Sequence, residues 1–174
     1  MNRIIKKMVL PFVTLAAMVM PAKAALKVGD KAPDFSAPLS DGTTFHLNDW
    51  LSKAPLVLYF YPKDDTPGCT KEACGLRDDF GAFRDLKATV VGISYDSIPS
   101  HKKFIEKYKL PFPLISDEKK EVAKAFGVNG LLFANRSSFI IGKDGAILYA
   151  NPSVNPQTHS QEIRDALAKI TAGK

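Results

Sequence analysis

The sequence has little of the residue types that most often carry chemistry: its 174 residues include only two cysteines and three histidines. The histidines are far apart, at His46, His101 and His159, and no two of them have the spacing of a metal-binding motif. This distribution excludes the common zinc motifs, and we interpret each histidine as a surface residue. Any thiol chemistry depends on Cys69 and Cys74.

A hydrophobic run long enough for a convincing transmembrane helix is also missing. The apolar run from Met8 to Met20 follows a basic start and precedes Ala22-Lys23-Ala24, which has the small-x-small pattern of a cleavage site. These features predict a secretory signal peptide over residues 1–24, cut after Ala24. They also predict an exported, periplasmic protein with no stable membrane insertion after cleavage. An uncleaved membrane anchor is the alternative.

Excess positive charge is confined largely to this leader. The whole chain carries a formal net charge of +6, but residues 1–24 hold four basic residues and no acidic ones, so residues 25–174 carry +2. The positive charge therefore gives no reason to expect nucleic-acid binding. Residues 25–174 show no internal repeat, low-complexity tract or long linker, and their length suits one domain with a sizeable core.

Both cysteines follow a predicted buried strand. Residues 56–61 form a short apolar run rich in β-formers, which Pro62 closes. Thr66 then has the features of a helix N-cap with a proline at the first helical position, and apolar residues recur at helical spacing over residues 71–86. Cys69 is therefore predicted to lie in the first turn of a helix.

That position favours the reactive form of a thiol. The thiolate is the nucleophile, and a helix N-terminus stabilises an anion through unpaired amides and the positive end of the macrodipole. Cys74 follows five residues later, which on an ideal helix places the two Cα atoms roughly 8 to 9 Å apart, beyond the roughly 7 Å limit for a disulfide. If both residues are helical when reduced, they can bond only after the helix start unwinds. A simple stabilising disulfide that closes a short loop is the alternative.

The rest of the chain alternates between strand and helix patterns. Strands are predicted at residues 43–47, 88–94, 112–116, 137–141 and 146–150, and helices at residues 100–108, 118–126 and about 160–170. The last two strands flank Lys143-Asp144-Gly145, a typical hairpin turn. This order predicts an α/β fold with a central mixed sheet covered by helices on both faces, and it fits a thioredoxin-like core.

The segment Pro62-x-x-x-Thr66-x-x-Cys69 resembles the active-site signature of peroxiredoxins. With Cys74 five residues on, it is similar to the Q-type, or bacterioferritin-comigratory-protein, class. The resemblance covers roughly residues 27–170. Further segments stand in family order, namely Lys31-Ala32-Pro33-Asp34-Phe35, Gly92-Ile93-Ser94-Tyr95-Asp96, Ser100-His101-Lys102-Lys103-Phe104, Leu110-Pro111-Phe112, Ser116-Asp117 and Arg136-Ser137-Ser138-Phe139-Ile140.

The resemblance implies that Cys69 is the peroxidatic cysteine and Cys74 the resolving cysteine of a thiol peroxidase that serves antioxidant defence. It further implies that Thr66 places its hydroxyl beside the thiolate and that Pro62 shields the site from water. Arg136 would supply a cation from a distant strand.

The implied reaction reduces hydrogen peroxide and organic hydroperoxides through a Cys69 sulfenic acid and an intramolecular disulfide with Cys74, which a thioredoxin-like dithiol then reduces. No metal or organic cofactor is needed. Because both cysteines lie on one predicted helix, no partner subunit is needed either, and we expect a monomer. Glu72 has two interpretations: a carboxylate that orients a basic group near the site, or a solvent-facing residue favoured by the helix dipole.

Two other classes of function stay open. An exported thiol-disulfide oxidoreductase normally uses Cys-x-x-Cys, whereas four residues separate Cys69 from Cys74. A copper-delivery protein on the same fold usually pairs Cys-x-x-x-Cys with a distant histidine and lacks the arrangement of Pro62 and Thr66.

Overall fold

The computed structural model describes residues 24–173. Residues 1–23, and with them nearly all of the predicted signal peptide, lie outside the described residues, as does residue 174. Between residues 24 and 173 no helix is long and apolar enough to cross a membrane.

Seven strands and six helices make up the described part of the chain. The strands are β1 (Ser36–Pro38), β2 (Thr44–His46), β3 (Leu56–Phe60), β4 (Thr89–Ser94), β5 (Leu114–Ser116), β6 (Ser137–Ile141) and β7 (Ile147–Asn151). The helices are α1 (Leu47–Leu51), α2 (Pro67–Asp78), α3 (Phe80–Asp85), α4 (Ile98–Tyr108), α5 (Glu121–Phe126) and α6 (His159–Ala172).

Five of these strands form one mixed sheet in the order β5-β4-β3-β6-β7. β3, β4 and β5 run parallel, whereas β6 runs antiparallel to β3 and β7 antiparallel to β6. β1 and β2 form a separate antiparallel pair. β3 is apolar throughout and therefore takes the centre of the sheet, where both of its faces are buried.

The side chains of β3 alternate between two hydrophobic cores, one on each face of the sheet. Leu56, Leu58 and Phe60 belong to the core that includes α1 and α5. Val57 and Tyr59 belong to the core that includes α2, α3, α4 and α6. Helices therefore cover both faces, which confirms the predicted α/β architecture.

Tyr59 lies over a glycine on the neighbouring strand. Gly92 is its partner in the register of β3 and β4, and a Cβ atom at Gly92 would lie 2.7 Å from the Tyr59 ring. The ring stacks on Tyr61, with centroids 5.4 Å apart, and meets the imidazole of His159 edge-on at 6.0 Å. Gly92 thus provides the space in which these rings pack against the start of α6.

The helix predicted over residues 71–86 is in fact divided. Asp79, with φ −93° and ψ 7°, separates α2 from α3. Its carboxylate accepts hydrogen bonds from Ser160 Oγ at 2.5 Å and from Arg164 Nη1 at 3.2 Å. The break therefore anchors the first turns of α6 to the end of α2, a long-range contact that helical periodicity does not reveal.

The prediction that all three histidines lie on the surface is wrong for two of them. His46 is exposed, but His101 and His159 are fully buried. His101 Nδ1 lies 2.9 Å from Asp64 Oδ2, and its Nε2 lies 3.1 Å from the carbonyl oxygen of Ile115. Both histidines belong to helices whose inner faces pack on the sheet, and the surrounding polar sequence conceals that packing.

Tyr59→Phe tests the environment of a hydroxyl that has no hydrogen-bond partner within residues 24–173. Burial, and then the negative charge of Glu72, raise the pKa of Tyr59 well above its ordinary value. In the unfolded chain the phenol ionises near pH 10, so folding stability falls as pH rises from about 10 towards the folded-state pKa, by up to about 1.4 kcal/mol per pH unit. We expect the variant to lose this part of the alkaline decline and less than about 1 kcal/mol at neutral pH.

Denaturant unfolding at neutral pH and at a series of alkaline pH values measures both effects, and Tyr61→Phe is the matched control for the cost at neutral pH. Tyr61 donates to Asp64 Oδ1 at 2.7 Å, so its loss should cost about 1 to 2 kcal/mol at neutral pH. An equal cost for the two variants at neutral pH would contradict this account of Tyr59.

Candidate active site

Cys69 is the third residue of α2, and its side chain is 1% exposed. The link from β3 leads to Thr66, whose extended backbone makes it the N-cap, and Pro67 takes the first helical position. The amide of Cys69 belongs to the first turn, where helix geometry provides no intrahelical acceptor for N–H groups. The predicted position of Cys69 is confirmed, and its sulfur faces the protein interior.

Arg136 is the residue just before β6, and its side chain reaches the sulfur of Cys69. Because Phe60 pairs with Ser137 across the antiparallel strands β3 and β6, Arg136 lies beside the point where the chain leaves β3 for α2. Its Nη2 donates to Cys69 Sγ at 3.2 Å. A Cβ atom at Gly68 would lie 3.4 Å from the same nitrogen, so the backbone leaves room for the guanidinium there.

Glu72 holds the other arm of Arg136. It lies one turn after Cys69 on α2, is 1% exposed, and accepts a hydrogen bond from Arg136 Nη1 through Oε2. Burial disfavours the charge on Arg136, but Glu72 and Cys69 outweigh burial and raise the pKa of the guanidinium above its ordinary value. Of the two interpretations of Glu72, the structure supports the carboxylate that orients a basic group.

A third buried group extends this chain of contacts. His159 Nδ1, at the start of α6, lies 3.0 Å from Glu72 Oε1. The contacts therefore run from Cys69 through Arg136 and Glu72 to His159, and they join α2, the start of β6 and α6. Sequence reasoning missed His159, and no local signal identifies it.

Thr66 and Pro62 occupy the link between β3 and α2. The Thr66 hydroxyl donates to the carbonyl of Lys63 at 3.1 Å, so its hydrogen is engaged there rather than with Cys69. Its side chain makes no capping hydrogen bond, although the residue is the N-cap. Pro62 is half-buried directly after the last residues of the central strand. Their expected roles towards the thiolate and water stay predictions.

Asp64, in the same link between β3 and α2, bonds to several other parts of the chain. Its Oδ1 accepts from the Tyr61 hydroxyl at 2.7 Å, and its Oδ2 accepts from Ser100 Oγ at 2.7 Å and lies 2.9 Å from His101 Nδ1. Its amide donates to Asp96 Oδ2 at 2.9 Å. These bonds, buried or partly buried, tie the link to α4 and to Asp96, which follows β4, so the chain just before α2 is held in place.

Cys74 lies on the same helix, half-buried, and both thiols are free. Because α2 is unbroken from residue 67 to residue 78, the Cα atoms are separated by roughly 8 to 9 Å, too far for a disulfide. Both cysteines are therefore helical in the reduced protein, and they can bond only if α2 opens. A disulfide that merely staples the folded state does not fit this helix.

Within residues 24–173 no group of three or more His, Cys, Asp or Glu side chains is arranged to hold an ion.

A buried cysteine in the first turn of a helix, whose sulfur accepts a hydrogen bond from an arginine beside a mixed sheet, is typical of an enzyme that uses a thiolate as its nucleophile. Residues 28–150 match the model of the AhpC/TSA family. The chain is 43% identical over 146 residues to the chloroplastic peroxiredoxin Q of Oryza sativa subsp. japonica, across 82% of this chain and 67% of that protein. It is 40% identical over 154 residues to peroxiredoxin Bcp of Bacillus subtilis, across 84% of this chain and 98% of that protein.

Solved structures agree with these relatives. Peroxidoxin BcpB from Mycobacterium tuberculosis superposes with a TM-score of 0.80 at 38% identity, covering 83% of this chain and 98% of that one. Peroxiredoxin Q from Xanthomonas campestris gives 0.76 at 32% identity, covering 85% and 98%. The chain belongs to the AhpC/TSA family, in the peroxiredoxin Q/Bcp class, and has the thioredoxin-like fold of these peroxiredoxins. It is therefore a thiol peroxidase that reduces hydroperoxides.

Arg136→Lys tests whether the guanidinium has to bond Glu72 and Cys69 at the same time. A lysine keeps the charge but lacks the planar fork that serves Glu72 and Cys69 with separate nitrogens. In a Cys74→Ser background, we expect Cys69 to react with hydroperoxide about 10- to 100-fold more slowly at neutral pH. Stopped-flow kinetics under single-turnover conditions measures the rate.

Arg164→Lys is the matched control, because Arg164 bonds Asp79 at the far end of α2. It should leave the rate of Cys69 oxidation close to that of the parent. Unchanged kinetics in Arg136→Lys would show that the fork is not needed.

Proposed function

We propose that Cys69 is the peroxidatic cysteine, Cys74 the resolving cysteine, and Arg136 the group that stabilises charge during the reaction. The observation that carries the proposal is the 3.2 Å hydrogen bond from Arg136 Nη2 to the buried sulfur of Cys69. A cation held there favours the thiolate, which is the nucleophilic form.

In the first step the Cys69 thiolate attacks the terminal oxygen of a hydroperoxide, in line with the O–O bond. The S–O bond forms as the O–O bond breaks, and the second oxygen leaves with the electron pair and takes up a proton as water or alcohol. Arg136, together with amides in the first turn of α2 and the Thr66 hydroxyl, would stabilise charge on that leaving oxygen. For Thr66 this requires a rotation of the hydroxyl hydrogen away from Lys63. Cys69 is left as sulfenic acid.

In the second step α2 opens at its start, and the Cys74 thiolate attacks Cys69 Sγ. The S–S bond forms as the S–O bond breaks, and the sulfenic hydroxyl leaves as hydroxide, which takes up the proton that Cys74 gave up on ionising and becomes water. A thioredoxin-like dithiol then reduces the disulfide by exchange and is itself oxidised. Because both cysteines lie on one helix, the cycle needs no second subunit, and we propose a monomer. Pro62 would limit access of water to the thiolate.

The alternatives from the sequence are less well supported. A thiol-disulfide oxidoreductase alternates between dithiol and disulfide at close spacing, whereas the two thiols here are held apart on an intact helix. Copper delivery would need Cys69 and a histidine as ligands, but the buried Cys69 sulfur contacts a guanidinium.

We further propose that residues 1–24 are a cleaved signal peptide and that residues 25–174 form the working domain in the periplasm. The support is the sequence pattern, and the domain is packed from its first residues onwards. Leu26 N–H donates to the Phe126 carbonyl at 3.1 Å.

Cysteine substitutions test the two assigned roles. Cys69→Ser should abolish peroxide reduction, because the attacking sulfur is removed. Cys74→Ser should keep the first oxidation at close to the normal rate but stop at sulfenic acid or a mixed disulfide, with turnover that depends on an added thiol. Stopped-flow peroxide consumption, followed by mass analysis of the peptides that contain the cysteines, measures both. If the two variants lose the first step equally, the assignment of roles is wrong.

N-terminal sequencing tests the signal peptide. When the full chain is produced in a Gram-negative host, we expect the periplasmic fraction to contain protein that begins at Ala25. Protein that begins at Met1 and stays in the membrane fraction would instead support an uncleaved anchor.

A further inference from the structure

His159 is a buried polar side chain with little to bond. It is the first residue of α6, and its side chain is fully buried. Neither ring nitrogen has a well-aligned hydrogen-bond partner within residues 24–173, yet Nδ1 lies in ion-pair range of Glu72 Oε1, at 3.0 Å. The polar interaction of this imidazole is therefore directed at the Glu72 carboxylate.

Packing alone does not account for an imidazole at this position. The Tyr59 ring meets it edge-on at 6.0 Å, and the same face of α6 buries Ile163 and Leu167 in the apolar core. An apolar side chain of similar volume would fill this space without removing two ring nitrogens from water. The contact with Glu72 is the feature that an apolar side chain could not provide.

The charges around Cys69 explain how the contact between His159 and Glu72 affects the site. Once the thiol ionises, two negative groups, Cys69 and Glu72, share the single positive charge of Arg136. In a buried site the Glu72 carboxylate competes with the thiolate for the guanidinium. With the ring proton on Nδ1, His159 places a partial positive charge 3.0 Å from Glu72 Oε1, the carboxylate oxygen that has no hydrogen-bond partner within residues 24–173. That charge reduces the competition.

We propose that His159 is a positioning residue of the peroxidase site: its Nδ1 side holds Glu72 so that Glu72 holds Arg136 on the sulfur of Cys69. This inference rests on the proposed roles of Cys69 and Arg136. His159 acts through Glu72 and does not touch the reacting atoms. The ionisable groups that face His159 are Tyr59 from β3 and Glu72 from α2, and beyond Glu72 lie Arg136, just before β6, and Cys69.

The test compares His159→Leu with His159→Asn in a Cys74→Ser background. Leucine fills the volume without a donor, whereas asparagine carries an amide N–H near the position of Nδ1. With hydrogen peroxide as substrate, we expect His159→Leu to slow Cys69 oxidation about 10-fold near neutral pH and to displace the rise of rate with pH upwards by about one unit. His159→Asn should stay close to the parent in both respects.

Ser160→Ala is the control for a merely structural effect. Ser160 is the next residue on α6 and bonds Asp79, so its loss loosens the same helix contact without touching Glu72. It should lower thermal stability but leave the pH–rate profile unchanged. If Ser160→Ala slows Cys69 as much as His159→Leu does, or if His159→Asn is as slow as His159→Leu, the proposal is wrong.

Glu72→Gln completes a double-mutant cycle. If His159 acts through Glu72, His159→Leu should add little or nothing in the Glu72→Gln background, and an undiminished additional loss would overturn the proposal. If circular dichroism shows that His159→Leu does not fold, His159→Gln replaces it. The glutamine amide extends towards the position of Nε2, so it places no N–H group at the position of Nδ1, near Glu72. A parent protein that fails to reduce peroxide would refute the proposed function, whereas an active parent with an equally active His159→Leu would refute only the role of His159.

Discussion

Both cysteines lie on one unbroken helix, and helix geometry keeps them too far apart to bond. The intact form of α2 places Cys69 at a positive helix end, buried beside Arg136, and holds Cys74 about one and a half turns away. The form that closes the disulfide has to give up this arrangement. In the proposed cycle, peroxide reduction and disulfide formation therefore require different conformations of the same dozen residues, and the order of the two steps follows from that constraint.

The surroundings of α2 suit such a helix. Its start is tied through the link residue Asp64 to Tyr61, Ser100 and His101, and its end is tied through Asp79 to α6. Between these anchors, Arg136 reaches Cys69 and Glu72, and His159 lies close to Glu72. In the proposed cycle, opening of the first turns breaks these polar contacts and leaves both anchors in place.

Local chemistry made much of this predictable. The apolar run of β3, the proline after the N-cap and the position of Cys69 depend on neighbours in sequence, and the structure agrees with each. The resemblance to a known family supplied Arg136, which lies 67 residues from Cys69 and is brought to it only by the pairing of β3 with β6. No local pattern encodes that register.

The predictions that the structure contradicts fail for one physical reason. His101 and His159 stand among polar residues and were expected on the surface, but each lies on the inner face of a helix packed on the sheet. Asp79 divides a helix that its periodicity predicts to be continuous, because its carboxylate is engaged by α6. In each case a partner distant in sequence decides the outcome, and a single sequence does not show which distant segments meet.

Amide hydrogen exchange of the reduced and the peroxide-oxidised protein tests most directly whether α2 opens when the disulfide forms. With mass analysis confirming the Cys69–Cys74 disulfide, we expect amides in the first half of α2 to lose their protection on oxidation. Amides of β3 and of the later turns of α6 should keep theirs. A fully formed disulfide with unchanged protection along α2 would contradict the account.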